Sequence, residues 1–225
     1  MCRTLVICLV LAMASVSFGA TVTQLGNWEG VMDGWSAANG ATTTFSSDSR
    51  VVTKDAQAIG VWAGGGWAMP FTQTWSNAQA LAMGVQYGGS ISISVSMLAE
   101  EWELAAPTTS NNPWGVKPLE NIIVQDDATG WWQQLAPDVA PDYGNGPDGA
   151  GVWKPENGDA QKTYTFTLPA QTGITSTLQL WLIQNRGDTN INGAVYYDNM
   201  VLTTPEPATM ALLGLGALAL IRRKK

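Results

Sequence analysis

Few side chains in this 225-residue sequence are equipped for chemistry, because histidine is absent and both cysteines, Cys2 and Cys8, fall within the first ten positions. That removes the commonest general base, a Ser-His-Asp relay and the usual zinc and copper ligands. Beyond residue 20 there is neither a thiol nucleophile nor the makings of a disulfide. Carboxylates remain. Two carboxyl groups acting as acid and base, or as nucleophile, are how glycosidases work. Glu100, Glu101 and Glu103 are the candidates, with Asp126-Asp127 as possible partners. Glu101 and Glu103 share a face if this stretch is a strand. Nothing in the spacing fixes a paired geometry, so a solvated acidic loop is the favoured reading and no catalytic residue is assigned.

Tryptophan supplies the other chemistry. All eleven lie between residues 21 and 204. Such residues either fill a β-sandwich interior or offer a flat ring to a sugar. Strand alternation sends Trp131 and Trp132 to opposite faces, one into the core and the other outward. Trp102, Trp114 and Trp153 fall in segments read as loops, where an exposed indole requires a reason. Trp102, Trp114, Trp131, Trp132 and Trp153 are therefore the candidate ligand platforms, whereas Trp28, Trp62 and Trp181 sit in strand patterns and are assigned to the core.

The elements that must position these groups are strands. In Ser90-Ile91-Ser92-Ile93-Ser94-Val95-Ser96-Met97 every second side chain is apolar, and Lys162–Leu168 repeats the pattern with Tyr164, Phe166 and Leu168 on one face. Further strands are expected at Thr42–Ser46, Ala58–Trp62, Ala80–Tyr87, Glu120–Gln125, Trp131–Leu135, Thr177–Gln184 and Ala194–Leu202, with Gly, Asn, Asp and Pro between them. Asn77–Met83 is the one stretch that reads as a helical turn. Segments 99–118 and 136–161 read as irregular, and loops of that length carry function or are disordered. Many short half-buried strands without intervening helices predict an all-β antiparallel sandwich.

The two ends read differently from the middle. Arg3, the apolar run Leu5–Val16 and the small residues Ser17, Gly19 and Ala20 form a cleavable signal peptide over residues 1–20, too short to span a bilayer. At the other end, Thr204-Pro205-Glu206-Pro207 precedes the apolar stretch Met210–Ile221 and a basic close, Arg222-Arg223-Lys224-Lys225. The prolines stop a helix from entering from upstream, and the basic tetrad stays on the cytoplasmic side of a membrane. Between the ends lie six basic and seventeen acidic residues, a net −11. Such a surface repels nucleic acid and attracts cations.

The C-terminal arrangement resembles the PEP-CTERM sorting signal, in which Pro205, Glu206 and Pro207 form the motif and Arg222 and Arg223 belong to the terminal cluster. The resemblance implies an exosortase as processing partner, transient association with the inner membrane through the C-terminal helix, and a destination at the cell surface or in the extracellular matrix. It sets domain limits at 1–20, 21–203 and 204–225. Within the middle segment, Asn27-Trp28-Glu29-Gly30 with Asp33-Gly34-Trp35, and Tyr196-Tyr197-Asp198-Asn199-Met200-Val201-Leu202, resemble the opening and closing strands of galactose-binding-like, carbohydrate-binding jelly rolls. Extracellular polysaccharide is the ligand this implies. A structural Ca2+ between Glu29 and Asp198 is implied as well. Asp188, Asn190, Asn192 and Gly193 also fit half of a calcium loop, but the twelfth position is Asn199, not Glu, and Asn192-Gly193 favours a hairpin turn. The expected function is non-catalytic polysaccharide binding, with a ligand-free structural matrix protein and a carboxylate glycosidase as alternatives.

Overall fold

The alternation in β6 (Gly89–Met97) sets the architecture, because Ile91, Ile93, Val95 and Met97 are buried on one side while four serines occupy the other. The computed structural model describes residues 20–63, 67–105, 115–126, 129–143, 151–185 and 193–206. Within them β6 pairs on one edge with β9 (Ala160–Leu168) and on the other with β11 (Val195–Pro205). The sheet continues through β4 (Ala58–Trp62) to β3 (Thr42–Ser46), while β1 (Ala20–Gly26) pairs with the C-terminal half of β11. A second, five-stranded sheet runs in the order β2 (Ser36–Ala37), β5 (Trp67–Ser76), β10 (Thr177–Asn185), β7 (Lys117–Asp126) and β8 (Trp131–Leu135). Every pairing is antiparallel. The molecule is an all-β antiparallel sandwich of two sheets.

Leu178, Leu180 and Leu182 of β10, Ile122 and Val124 of β7, and Tyr164, Phe166 and Leu168 of β9 meet between the sheets. One end of this core is aromatic. Trp35 stacks on Phe71 at 5.1 Å, and Trp28 meets both edge-on or tilted at 5.9 Å. The sequence around Trp28 exists to hold this cluster. Asp33 Oδ2 accepts the backbone N–H groups of Asn27 and Trp28, each at 2.9 Å, and Trp28 adopts a left-handed φ of 49° that few large residues tolerate. Gly26 lies under the Trp28 ring, which would sit 2.4 Å from a Cβ there. Trp35 Nε1 donates to the Leu25 carbonyl at 2.8 Å.

Several elements depart from the expectation, β1 and β2 among them, since neither is one of the expected strands. Ala80–Tyr87 is not a strand. Ser76 and Gln79 form a reciprocal capping box, and the chain turns into helix α1 (Asn77–Ala82) followed by a 3-10 turn at Val85–Tyr87. The irregular reading of 99–118 gives way at both ends, to helix α2 (Ala99–Ala105) and to β7 from Lys117. β5 is also not among the expected strands, and it carries Pro70, a residue that argues against a strand interior. Here Pro70 coincides with a bulge, where the register to β10 shifts between Leu182 and Gln184. Strand pairing runs from Ala20 to Pro205, slightly outside the expected 21–203. Residues 1–19 of the signal segment, Pro207, Arg222 and Arg223 lie outside the described residues, among which no helix is long and apolar enough to cross a membrane.

Phe71 is fully buried between Trp28 and Trp35. Phe71→Ala is expected to cost about 3–5 kcal/mol in urea unfolding; a loss below about 1 kcal/mol would mean that the cluster is not a packed core.

Candidate functional site

The acidic side chains are spent on structure. Asp126 closes β7 with no exposed surface and accepts hydrogen bonds from the backbone N–H groups of Thr175 and Ser176 and from the hydroxyls of Thr175, Ser176 and Thr177. Burial pushes its carboxyl up, but these donors outweigh burial and hold it well below the usual carboxylate range. Glu100 is drawn to Arg50 at 2.7 Å, and the same guanidinium binds Asp48 at 2.6 Å and Asp159 at 3.1 Å. Arg50 lowers the pKa of Asp48 to about 2 and that of Glu100 in the same direction. Glu101 accepts from the Tyr196 hydroxyl and, at 3.4 Å, from the Ala194 N–H. Because residues 99–105 are helical, Glu101 and Glu103 do not share a strand face. Trp102 meets Trp153 edge-to-face, and Trp153 bridges to Val116 at the start of β7. Asp126, ten residues further on, is about 30 Å along the strand from that end. The glutamates of α2 therefore do not pair with it; Asp127 and the Glu103 side chain lie outside the described residues.

Glu29 and Asp198 do converge, both accepting hydrogen bonds from the loop at residues 53–57. Glu29 accepts the N–H groups of Ala56 and Gln57 at 3.0 and 3.1 Å. Asp198 Oδ2 accepts the Thr53 N–H, Thr53 hydroxyl and Lys54 N–H at 2.6–2.8 Å, and its Oδ1 accepts the Asn199 N–H. Oxygens ringed by N–H donors do not fit a calcium shell, which needs six or more oxygen ligands. Among the described residues no group of three or more His, Cys, Asp or Glu is placed to hold a metal ion. Of the second calcium lead, Asp188, Asn190 and Asn192 lie outside the described residues, and Gly193 packs under the Trp102 ring.

The five candidate tryptophans separate. Trp102 and Trp153 are 1% and 0% exposed, so neither ring is open to a sugar. Helix α2 carries Trp102 inward, where its Nε1 donates to the Ala194 carbonyl. Trp153 is pinned by its bridge to Val116 and by Nε1 donating to the Gly158 carbonyl. Trp114 lies outside the described residues. Trp131 packs against the core over Gly173, whereas Trp132 is 58% exposed.

Trp132 is one corner of a larger surface, the outer face of the five-stranded sheet. Register places it beside Gln125, Gln179 and Thr74 in one row across β8, β7, β10 and β5. The next row is Gln134, Ile123, Trp181, Thr72 and Ser36. Strand spacing and pleat set the Trp132 and Trp181 backbones about 12 Å apart. Gln134 Nε2 donates to Asn121 Oδ1 on the same face. Beyond the bulge, Trp67, 50% exposed, pairs with Asn185 and so joins this face. Among the described residues, Gln179 Oε1 and Trp181 Nε1 have no hydrogen-bond partner. The sequence reading missed Trp67 and placed Trp181 wholly in the core. Trp181 is detectable from the alternation of Leu178, Leu180 and Leu182, but Trp67 is not, since the bulge reverses its parity.

An antiparallel β-sandwich with an aromatic and amide-lined sheet face is thus the class of protein the geometry defines. Residues 203–225 match the PEP-CTERM protein-sorting motif. No curated protein matches the chain. Among solved structures, the chain is similar to the CBM22-1 xylan-binding domain of Paenibacillus barcinonensis Xyn10C, with 12% identity and a TM-score of 0.43 over 83% of this chain and 94% of that one. It is similar to another family 22 xylan-binding domain, with 11% identity and a TM-score of 0.45 over 80% and 91%. A family 29 carbohydrate-binding module complexed with cellulohexaose is 14% identical, with a TM-score of 0.41 over 84% and 94%.

Three outcomes follow from the acids. Asp126 has a lowered folded-state pKa, so its stabilisation is complete above the unfolded value near pH 4 and is lost as pH falls below it. Asp126→Asn should therefore lower Tm at neutral pH and flatten its decline between about pH 4 and pH 2; an unchanged acid limb contradicts this. At the other clamp, the unfolding midpoint should not respond to calcium or to a chelator, since a cation bound to the folded state would raise it. Asp198→Ala should cost about 1–3 kcal/mol by removing the acceptor shared by the Thr53, Lys54 and Asn199 N–H groups.

Proposed function

We propose that this is an exported, exosortase-processed surface or matrix protein whose jelly-roll sandwich binds polysaccharide without catalysis. The observation that supports the binding role most strongly is the outer face of the five-stranded sheet. Trp67 and Trp132 are about half exposed there, at 50% and 58%, with Trp181 and the amides of Gln125, Gln179, Gln134 and Asn121 between them. Exposed aromatic surface gathered on one face marks an interaction site, whereas scattered single residues do not. Rings stack on the apolar faces of sugars, and amides donate to and accept from hydroxyls.

Charge narrows the ligand. With a net −11 between the two ends, the domain repels polyanions at low salt. The face described carries uncharged amides and hydroxyls in its two central rows, which suits a neutral glycan. The sorting match supports export and tail removal, with the membrane engaged only until the tail is cut.

The test is calorimetric titration of the purified protein with neutral and acidic polysaccharides. Trp132→Ala and Trp67→Ala are each expected to weaken binding of a neutral glycan about tenfold, or about 1.4 kcal/mol, without lowering Tm. Trp102→Ala should do the opposite, lowering Tm and leaving the affinity of the folded fraction intact. Failure of every neutral glycan to saturate the protein, or full affinity in both face variants, would leave a structural matrix role in place of a binding one.

A further inference from the structure

Residues 203–205 belong both to the end of β11 and to the start of the matched sorting motif. Thr203 is held on both edges, and Thr204 and Pro205 are held by β1 on one. Thr203 lies between Ser90 of β6 and Val22 of β1, and Thr204 pairs with Thr21. Thr204 is 2% exposed, and its hydroxyl donates to the Met83 carbonyl at 2.9 Å. The turn at 84–89 closes tightly over this strand. A Cβ on Gly84 would stand 2.8 Å from Thr204 Oγ1, and one on Gly89 would stand 2.1 Å from the Thr203 carbonyl oxygen. Pro205, with no N–H to give, ends the ladder opposite Ala20. Glu206 is exposed and belongs to no strand.

A protease commonly binds its substrate as an extended segment with its backbone edge free to pair. The peptide bonds up to Thr204 offer no such edge, because strands occupy both sides of Thr203 and β1 continues along Thr204. Peeling β11 back would unpair β1 and bring the Thr204 side chain out of the core. We propose that the folded sheet sets the upstream limit of tail removal: the sorting enzyme cuts on the C-terminal side of Pro205, and the mature protein keeps the whole of β11. This rests on the sorting reading above. In the cut, a peptide C–N bond breaks and the carbonyl carbon bonds to water or to a hydroxyl or amine acceptor. The proton released by that nucleophile goes to the departing amine of the tail. Since Ala20 stands across from Pro205, both processed ends of the chain leave the same end of the same sheet.

The test is the intact mass of the mature protein, from the full chain expressed in a host with an exosortase. A parallel sample carries V22C/T203C, an opposed antiparallel pair at disulfide distance. A product ending at Pro205 or beyond, with no loss of processing in the oxidised V22C/T203C form, is expected. A product ending at Thr204 or earlier, or processing abolished by oxidation and restored by reduction, overturns the limit while leaving the sorting reading standing. A wild-type chain that keeps Lys225 overturns the sorting reading itself, and the limit with it. Independently of the enzyme, a non-specific protease acting on the purified full chain should stop at or beyond Pro205; trimming through Thr204 into β11 also overturns the limit.

Discussion

Each backbone N–H and C=O along β11 has to be paired, because the strand is flanked on both sides and most of its side chains are buried. One edge is simple, with β6 following it from Tyr196 to Thr203. The other changes hands. β4 serves residues 195–197 and β1 serves residues 200–205, so a gap falls at Asp198 and Asn199. The closing pattern Tyr-Tyr-Asp-Asn is the solution to that gap. Asn199 takes a left-handed φ of 47° at the register shift, and Asp198 gathers the N–H groups of Thr53 and Lys54. Gln24 Nε2 reaches the Met200 carbonyl at 3.0 Å. Tyr197 then ties the sheets together, accepting from Gln184 Nε2 and donating to the Pro118 carbonyl. The loop at 53–57, held in turn by Glu29, closes the side of the sandwich where strand pairing lapses.

This explains why a motif suggestive of calcium carries none of its geometry. A cation and a row of backbone N–H groups are alternative ways to neutralise the same carboxylates. Here the chain supplies the N–H groups. Asp126 follows the same logic at the far end of β7, and Arg50 collects three further carboxylates at the surface. With the described acids so engaged, the side chains left open to a ligand are aromatic and amide groups on the outer face of one sheet.

Much of the fold was legible because period-two alternation is a direct image of a sheet with one wet face. β3, β4 and β8 coincide with the strands read from Thr42–Ser46, Ala58–Trp62 and Trp131–Leu135, and β6, β7, β9, β10 and β11 differ only at their ends. The misreadings have local causes. Ser76 and Gln79 cap a helix where apolar residues mimicked a strand, and β5 carries Pro70, which argues against a strand interior. The candidate site was less legible, because exposure of a tryptophan depends on its parity and on what packs over it. Trp131 and Trp132 obeyed alternation. Trp102 and Trp153, assigned to loops, bury each other edge-to-face at 5.6 Å instead, and the bulge beside Pro70 turned Trp67 outward.

The pairing of β1 with β11 also bears on when this protein can exist at all. Gln24 and Met200 are separated by 176 positions and yet share a hydrogen bond. Contacts of such long range carry the full entropic cost of loop closure and form late and slowly. For a chain that emerges N-terminus first, the earliest strand has no partner until the last has appeared. Until then β1 is an unpaired edge, seven residues long and able to join another chain.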